Sequence, residues 1–388
     1  MPQEQLLPVG TKSSQLFIGI PKEISFQENR VALEPEAVGL LVNNGHRVLI
    51  ETKAGLASNF SDNDYSEAGA EIGYSAQEVY KSDILLKVAP PSLEEVSLMH
   101  PKQTLISALQ LTVQPKDLVK KLIEKRVSAI AWDFITDKDG IFPIVRAMGE
   151  IAGTTSILIA AEHLSNIKGQ GAMFGGISGV APSEAVIIGA GTVGEYAARA
   201  ALGLGASVKV FDNDISKLRR LQNDIGHRVY TSTIQPKLLS KALKTADVAI
   251  GAIRSSDGRT PNIVSEKMVS EMKPCSVIVD VSIDQGGCFE TSEVTNHGSP
   301  VFTKYDVIHY CVPNIASRVS RTASYALSNI FAPILLNVGD VGGIENVLRR
   351  NLGVRKGVYM YNGTLVNKSL GERFNLDYKD LDLFLTAF

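Results

Sequence analysis

The sequence predicts an α/β protein of two doubly wound domains with parallel sheets, the second inserted into the first. Three observations carry this. Short runs rich in Val, Ile and Leu alternate with longer segments of helical period over most of the 388 residues. The alternation comes in two series, separated by a long helical stretch and a glycine-rich segment. After about residue 317 the pattern gives way to one long apolar helix and a polar tail, too short for a third domain, which should pack back on the first. The chain therefore divides into residues 1–142, 143–320 and 321–388, with the first and last stretches forming one domain around the middle one.

In the first series the strand-like runs are LFIGI (16–20), RVLIE (47–51), DILLKV (83–88), TLISAL (104–109) and VSAIAW (127–132). Helices fit between them. Pro35 at a first-turn position and Gly45 just past Asn44 bracket one helix, and Ser75 with Glu78 three residues on reads as a capping-box start for another. In a parallel sheet, the segments following the C-terminal strand ends, including Lys87 and Gln110, should line a common crevice where ligands bind.

From Gly140 to His163 the long helical pattern suits a helix connecting the domains, and GQGAMFGGISGV follows it. The second series runs through AVIIG (185–189), SVKVFD (207–212), DVAIGA (247–252) and SVIVDV (276–281). The longest uncharged stretch, Ala323 to Gly339, falls short of a bilayer span and is interrupted by Asn329, Pro333 and Asn337, so it reads as a buried core helix.

With 44% apolar and 21% charged residues and a formal net charge of -2, the composition is that of a soluble globular protein without the basic excess that grips a phosphate backbone. Nucleic acid is a poor first choice of partner, and no membrane is expected. The opening MPQEQLLPVGTKSSQ reads as a short disordered arm rather than a secretory signal. Three cysteines, Cys275, Cys288 and Cys311, cannot pair completely, which suits a reducing, cytoplasmic setting. Neither their spacing nor that of the six histidines matches a metal pattern.

The most informative segment is AVIIGAGTVGEYAARAALGLGASVKVFD. It places Gly189, Gly191 and Gly194 in GxGxxG spacing between a strand and a helix, with a second strand ending in Asp212. Gly189 permits the tight turn, Gly191 lets backbone approach a pyrophosphate, and Gly194 lets helix and strand pack closely. The helix N-terminus offers free N–H groups to the phosphates. Asp212 stands where a carboxylate accepts bonds from ribose hydroxyls and repels a 2'-phosphate, which favours NAD over NADP, with Lys217, Arg219 and Arg220 close by as a basic counterweight. This is a Rossmann-type dinucleotide unit.

Several residues are candidates for the chemistry. Arg30, in the loop after the first strand, suits a bidentate grip on a substrate carboxylate, against the plainer reading of a solvated loop charge. Lys87 ends an apolar strand and reads either as a desolvated amine directed into the crevice or as a snorkelling lysine. Asp284 precedes Gly286 and Gly287 in a loop that should approach the nicotinamide half of the cofactor, while Asp280, inside the strand, is the competing structural carboxylate. Asn314 reads equally as a polar site group on a late loop or as a helix cap. These residues point to a dehydrogenase acting on a small carboxylate compound.

The segments GIPKE with NRVALEP, ILLKVAPP, VIIGAGTVG, VFDNDISKL, SVIVDVSIDQGGCFETS and YCVPN, in that order, resemble the alanine dehydrogenase family, which is related to the NAD-binding alpha component of proton-translocating transhydrogenase. The likeness runs from about Leu16 onward. It implies a nucleotide domain inserted into a substrate domain, oligomers (hexamer or dimer), and oxidative deamination of L-alanine to pyruvate and ammonium with NAD. By the same resemblance Arg30 and Lys87 bind the carboxylate and keto oxygen of the 2-oxo acid, and Asp284 lies by the nicotinamide. The family's general acid–base histidine is matched here by Gln110, in SALQLTVQ, which does not titrate. That departure leaves Lys87, Asp284 or a water held by Gln110 for proton transfer. It also keeps open transhydrogenase-like hydride exchange with a membrane partner, or a non-catalytic NAD-binding sensor.

Overall fold

The computed structural model describes residues 13–110, 114–255 and 258–385. Most of the N-terminal arm therefore lies outside the described residues. Strands in chain order are β1 Phe17–Ile20, β2 Arg47–Glu51, β3 Glu71–Gly73, β4 Ile84–Leu86, β5 Thr104–Ser107, β6 Ser128–Ala131, β7 Glu184–Ile188 and β8 Ser207–Phe211. They continue as β9 Tyr230–Ser232, β10 Val248–Gly251, β11 Val277–Asp280, β12 Val301–Lys304, β13 Val307–Tyr310, β14 Val358–Tyr361 and β15 Thr364–Leu365. The chain separates into two compact units, one of Met1–Val145 with Ser320–Phe388 and one of Arg146–Val319.

The first unit holds an eight-stranded sheet of order β15-β14-β6-β5-β4-β1-β2-β3. From β6 to β3 every neighbouring pair is parallel. The central strands β4 and β5 are buried throughout, as a sheet covered on both faces requires; β4 is wholly apolar, and β5 is apolar at Leu105 and Ile106 between a buried Thr104 and Ser107. The polar tail adds β14 and β15, which pair antiparallel at the β6 edge. The strands expected in the first series all run parallel; the antiparallel pairs come from the tail, where no strand is expected from the sequence. A short return through Asn362 and Gly363 joins β14 to β15, and a tight reversal of that length admits antiparallel pairing only.

The helix Ser320–Asp340, which runs through Pro333 without a break, belongs to this unit and buries Leu327, Phe331 and Leu335. It is the core helix expected from the uncharged stretch. The helix expected between Pro35 and Gly45 spans Pro35–Asn43, and Gly45 takes the left-handed backbone at φ +85°. At Ser75 the expectation fails in detail. A short helix does begin there, but the Ser75 hydroxyl makes no cap bond, and the Glu78 carboxylate accepts from Tyr74 N–H at 2.9 Å instead.

The second unit is a seven-stranded sheet of order β12-β13-β11-β10-β7-β8-β9, parallel except for the β12–β13 edge pair. Its interior strands, among them Ala185–Ile188 and Val277–Val279, are fully buried. The connecting helix spans Pro143–Ser165, long and apolar enough to cross a membrane by length and composition, and it sets Ile157, Ala160 and Leu164 into the core of this unit.

Both sheets reverse their winding beside the first strand of their unit: β1 lies between β2 and β4, and β7 between β8 and β10. At such a switch point the loops leaving the two strands part to opposite faces and open a crevice at the C-terminal ends. In the first unit that crevice receives the segments after Ile20 and Leu86. In the second it receives those after Ile188 and Gly251.

Candidate active site

In the first unit the loop after β1 and the start of the β4 loop bring charges together in an apolar setting. Lys87, the residue after β4, is completely buried, which excludes a snorkelling lysine. Its Nζ lies 2.8 Å from Glu95 Oε1 and 3.2 Å from Glu23 Oε2. Burial disfavours the ammonium, but Glu23 and Glu95 outweigh it and hold the Lys87 pKa above the usual lysine value. Glu95 is pinned from the other side as well. Its Oε1 accepts from Tyr80 Oη at 3.0 Å and its Oε2 from Ser92 N–H at 2.8 Å, while the Ser92 hydroxyl accepts from Glu95 N–H. This reciprocal capping box starts the helix Leu93–Leu98 and fixes the ammonium's partner at the same time. Trp132 Nε1 donates to the Lys87 carbonyl at 3.3 Å, holding its backbone.

Arg30 is also buried, so it is not a solvated loop charge. Glu28 grips it with both oxygens, Nε to Oε1 at 2.7 Å and Nη2 to Oε2 at 2.5 Å. The loop carrying this pair is tied down by the helix Ser320–Asp340: Val31 N–H donates to Ser324 Oγ at 3.0 Å and Glu34 N–H to Ser328 Oγ at 2.8 Å. Ser58 Oγ donates to Asn29 C=O at 2.8 Å. Replacing Ser324 by alanine leaves a buried N–H without its acceptor, which costs about 1–3 kcal/mol. Urea unfolding of Ser324→Ala is expected to show that loss.

Gln110 lies on the neighbouring strand end. It follows β5 in left-handed backbone at φ +44°, its side chain is exposed, and its carbonyl accepts from Gln114 N–H at 3.3 Å. Residues 111–113 of the segment SALQLTVQ lie outside the described residues.

In the second unit the glycine loop after β7 has the form a dinucleotide needs. Gly189 sits at φ +113°, and a Cβ there would strike the Ala252 carbonyl at the end of β10. A Cβ at Gly194 would strike the Gly189 carbonyl. Gly191, by contrast, opens onto free space and is the N-cap of the helix Thr192–Gly203 with no side chain capping it. The first-turn N–H groups are thus presented past a residue without a side chain, which is the fit a pyrophosphate requires.

Asp212 is buried at the end of β8. Its Oδ2 accepts from Ala190 N–H at 2.7 Å and its Oδ1 from Asp214 N–H at 2.8 Å. Each oxygen keeps a second lone pair for a ribose hydroxyl. Lys217 lies exposed on the first turn of the helix Ile215–Ile225, whereas Arg220 Nη2 reaches the glycine loop, donating to the Ala190 carbonyl at 3.1 Å. Asp284 is exposed in the turn Val281–Gln285 after β11, and its Oδ1 accepts from Asn314 N–H at 2.9 Å. Asn314, in left-handed backbone at φ +54°, is held beside it. Asp280 is enclosed, accepting from Ser282 N–H at 3.0 Å, Cys288 N–H at 2.9 Å and Ser292 Oγ at 2.7 Å. Burial raises its pKa and pushes the Cys288 thiol well up and the Cys311 thiol up to about 12, so neither is a ready thiolate. Among the described residues no three His, Cys, Asp or Glu side chains gather as a metal site.

The family model described as alanine dehydrogenase/PNT, N-terminal domain, matches residues 19–152, and the one described as alanine dehydrogenase/PNT, C-terminal domain, matches residues 156–368. The chain belongs to the alanine dehydrogenase/PNT family. It is 39% identical over 372 residues to the alanine dehydrogenase of Mycolicibacterium smegmatis, covering 95% of this chain and all of that one. It is likewise 39% identical to that of Methanococcus maripaludis, covering 94% of this chain and 98% of the relative. A solved L-alanine dehydrogenase superposes with a TM-score of 0.86 at 36% identity, covering 92% and 99% of the two chains. A transhydrogenase structure from Sinorhizobium meliloti shares the fold, with a TM-score of 0.77 at 22% identity over 91% and 99%.

Within this alanine dehydrogenase/PNT member the sequence reading missed three carboxylates of the first unit, Glu23, Glu28 and Glu95. For Glu95 a signal was present: Ser92 and Glu95 have capping-box spacing just before an apolar helical turn. Glu23 lies in GIPKE, one of the segments that carry the resemblance, but nothing local marks its role, and Glu28 between Gln27 and Asn29 looks like a solvated charge.

Proposed function

We propose that this protein is an NAD-dependent alanine dehydrogenase, converting L-alanine to pyruvate and ammonium reversibly. The observation that carries the reading is the end-to-end match to alanine dehydrogenases at 39% identity. The first unit, with Arg30 and Lys87, is read as the substrate domain and the second as the nucleotide domain. Gly189, Gly191, Gly194 and Asp212 would hold the dinucleotide, which supplies a hydride acceptor when bound. NAD rather than NADP is favoured by the buried Asp212 carboxylate, whose charge repels a 2'-phosphate.

Two cations suit the substrate's two oxygen functions. Arg30 would take the carboxylate and Lys87 the carbonyl oxygen, where an ammonium draws electron density from the carbon that is attacked. Asp284 and Asn314 would flank the nicotinamide end of the second unit. Exposed Ile167, Met173, Ile177 and Val180 within one short segment support a homo-oligomer, and two buried free thiols suit a cytoplasmic setting.

The test is NADH oxidation by purified protein with pyruvate and ammonium, run with Gln110→His alongside. Ammonium-dependent turnover by the native chain is the expected result. Its absence in both proteins would overturn the reading, and exchange between two dinucleotides only with added membranes would replace it with a transhydrogenase-like role, the reading that Gln110 favours.

A further inference from the structure

The hydrolytic half of deamination, from iminium to carbonyl product, needs a proton borrowed and returned. When water adds to the iminium carbon its oxygen forms the new C–O bond and one proton must leave; when the carbinolamine collapses, the nitrogen leaves with the C–N electron pair and must take a proton. One group that accepts and then gives back a single proton closes the balance of this step, the hydroxyl proton released as the carbonyl forms going to the departing ammonia, and the carbonyl product and ammonium result. Gln110, exposed beyond β5, has no titratable proton. Lys87 as an ammonium cannot accept one.

The cluster around Lys87 has one group suited to the task. Glu95 has Oε1 bound by Lys87 Nζ and Tyr80 Oη and Oε2 by the Ser92 N–H. In Glu23, Oε1 accepts from Val88 N–H at 2.6 Å, while Oε2 is buried with Lys87 Nζ at 3.2 Å and no hydrogen bond of good geometry. An ammonium has three N–H bonds, and among the described residues Lys87 Nζ has these two carboxylate partners, so a third is left for substrate. The set carries one positive and two negative charges inside an apolar core, an imbalance that a single added proton removes.

We propose that Glu23 is the proton store of the reaction, filled and emptied through Lys87. As water adds to the iminium carbon its proton passes to Lys87 Nζ while another leaves Nζ for Glu23 Oε2. On collapse the same proton returns through Nζ to the departing nitrogen. Lys87 begins and ends as an ammonium, and Glu23 begins and ends as a carboxylate. Glu23 is thus a positioning residue that acts through Lys87.

The groups facing Glu23 agree with this. Lys87 and the Val88 N–H favour its ionised form and Glu28 on its own loop, itself paired with Arg30, opposes it; Glu95 shares Lys87 with it, with Tyr80 on Glu95 and Glu51 nearby on the Lys22 N–H. Burial is the largest influence and raises the Glu23 pKa despite Lys87. A carboxyl whose pKa is raised on folding contributes stability below about pH 4.5, its unfolded value, and loses it as pH rises through the folded value.

The inference rests on the dehydrogenase reading, and Glu23→Gln tests the two separately. Glutamine mimics the protonated acid, so the melting temperature of Glu23→Gln relative to the native protein should climb as pH rises from about 4.5. A difference that stays flat with pH overturns the proton store whatever the rate. In pyruvate amination, kcat should fall by about a hundredfold to ten-thousandfold and the acid limb of its pH profile should flatten, with NADH binding by fluorescence unchanged. A variant that keeps the native rate and acid limb also overturns the inference. A climbing difference in a native chain that turns over no pyruvate overturns the reaction assigned to the protein instead.

Discussion

Lys87→Met is expected to lose about 3–5 kcal/mol of stability, read by urea unfolding, because it leaves two buried carboxylates without their shared cation. Glu23 and Glu95 lie within 3.2 Å of the Nζ that is removed, and neither has water to turn to, since their side chains are only 6% and 7% exposed. Activity with pyruvate and ammonium is expected to fall by about a thousandfold, the equivalent of about 4 kcal/mol of transition-state stabilisation. The pair of effects separates on adding Glu95→Gln. Lys87→Met with Glu95→Gln should regain much of the stability, since one buried charge is removed while the amide oxygen accepts from the Ser92 N–H and the amide N–H donates to the Tyr80 hydroxyl, and should regain none of the rate.

Gly194→Ala should weaken NADH binding by about tenfold to a hundredfold, since overpacking of one carbon costs about 1–3 kcal/mol. The added Cβ meets the Gly189 carbonyl, a backbone atom that cannot rotate away, so the loop that approaches the phosphates must move. Gly203, at the other end of the same helix, has nothing within 4 Å of a Cβ. Gly203→Ala is therefore the control: NADH affinity by fluorescence titration should stay at the native value while Gly194→Ala departs from it.

The parts of this architecture that show in the sequence are those where local pattern and burial coincide. Apolar runs such as Ile84–Leu86 and Ala185–Ile188 occupy the sheet centres, where both faces are covered. The edge strands Glu71–Gly73, Tyr230–Ser232 and Thr364–Leu365 do not show, because a two- or three-residue edge strand needs few apolar side chains and leans on its neighbour for its form. The glycine spacing was visible because its geometry is a property of ten consecutive residues. The Lys87 cluster was not, because Glu23 and Lys87 are 64 positions apart and meet only after β1 and β4 pair. At Ser75 the local signal was present and a competing contact, Glu78 to Tyr74, took the carboxylate.

The bonding of Asp212 bears on how cofactor preference can change in a chain like this one. A residue that discriminates against a 2'-phosphate looks, from the ligand's side, like an independent setting, exchangeable for a neutral side chain. Here its two oxygens also hold Ala190 and Asp214 in place, so the same substitution that admits the phosphate slackens the turn beneath the pyrophosphate. Selectivity and affinity are coupled at a single carboxylate. An attempt to convert the preference by changing Asp212 alone should lower affinity for both dinucleotides, and a productive route would first have to supply another acceptor for the Ala190 N–H.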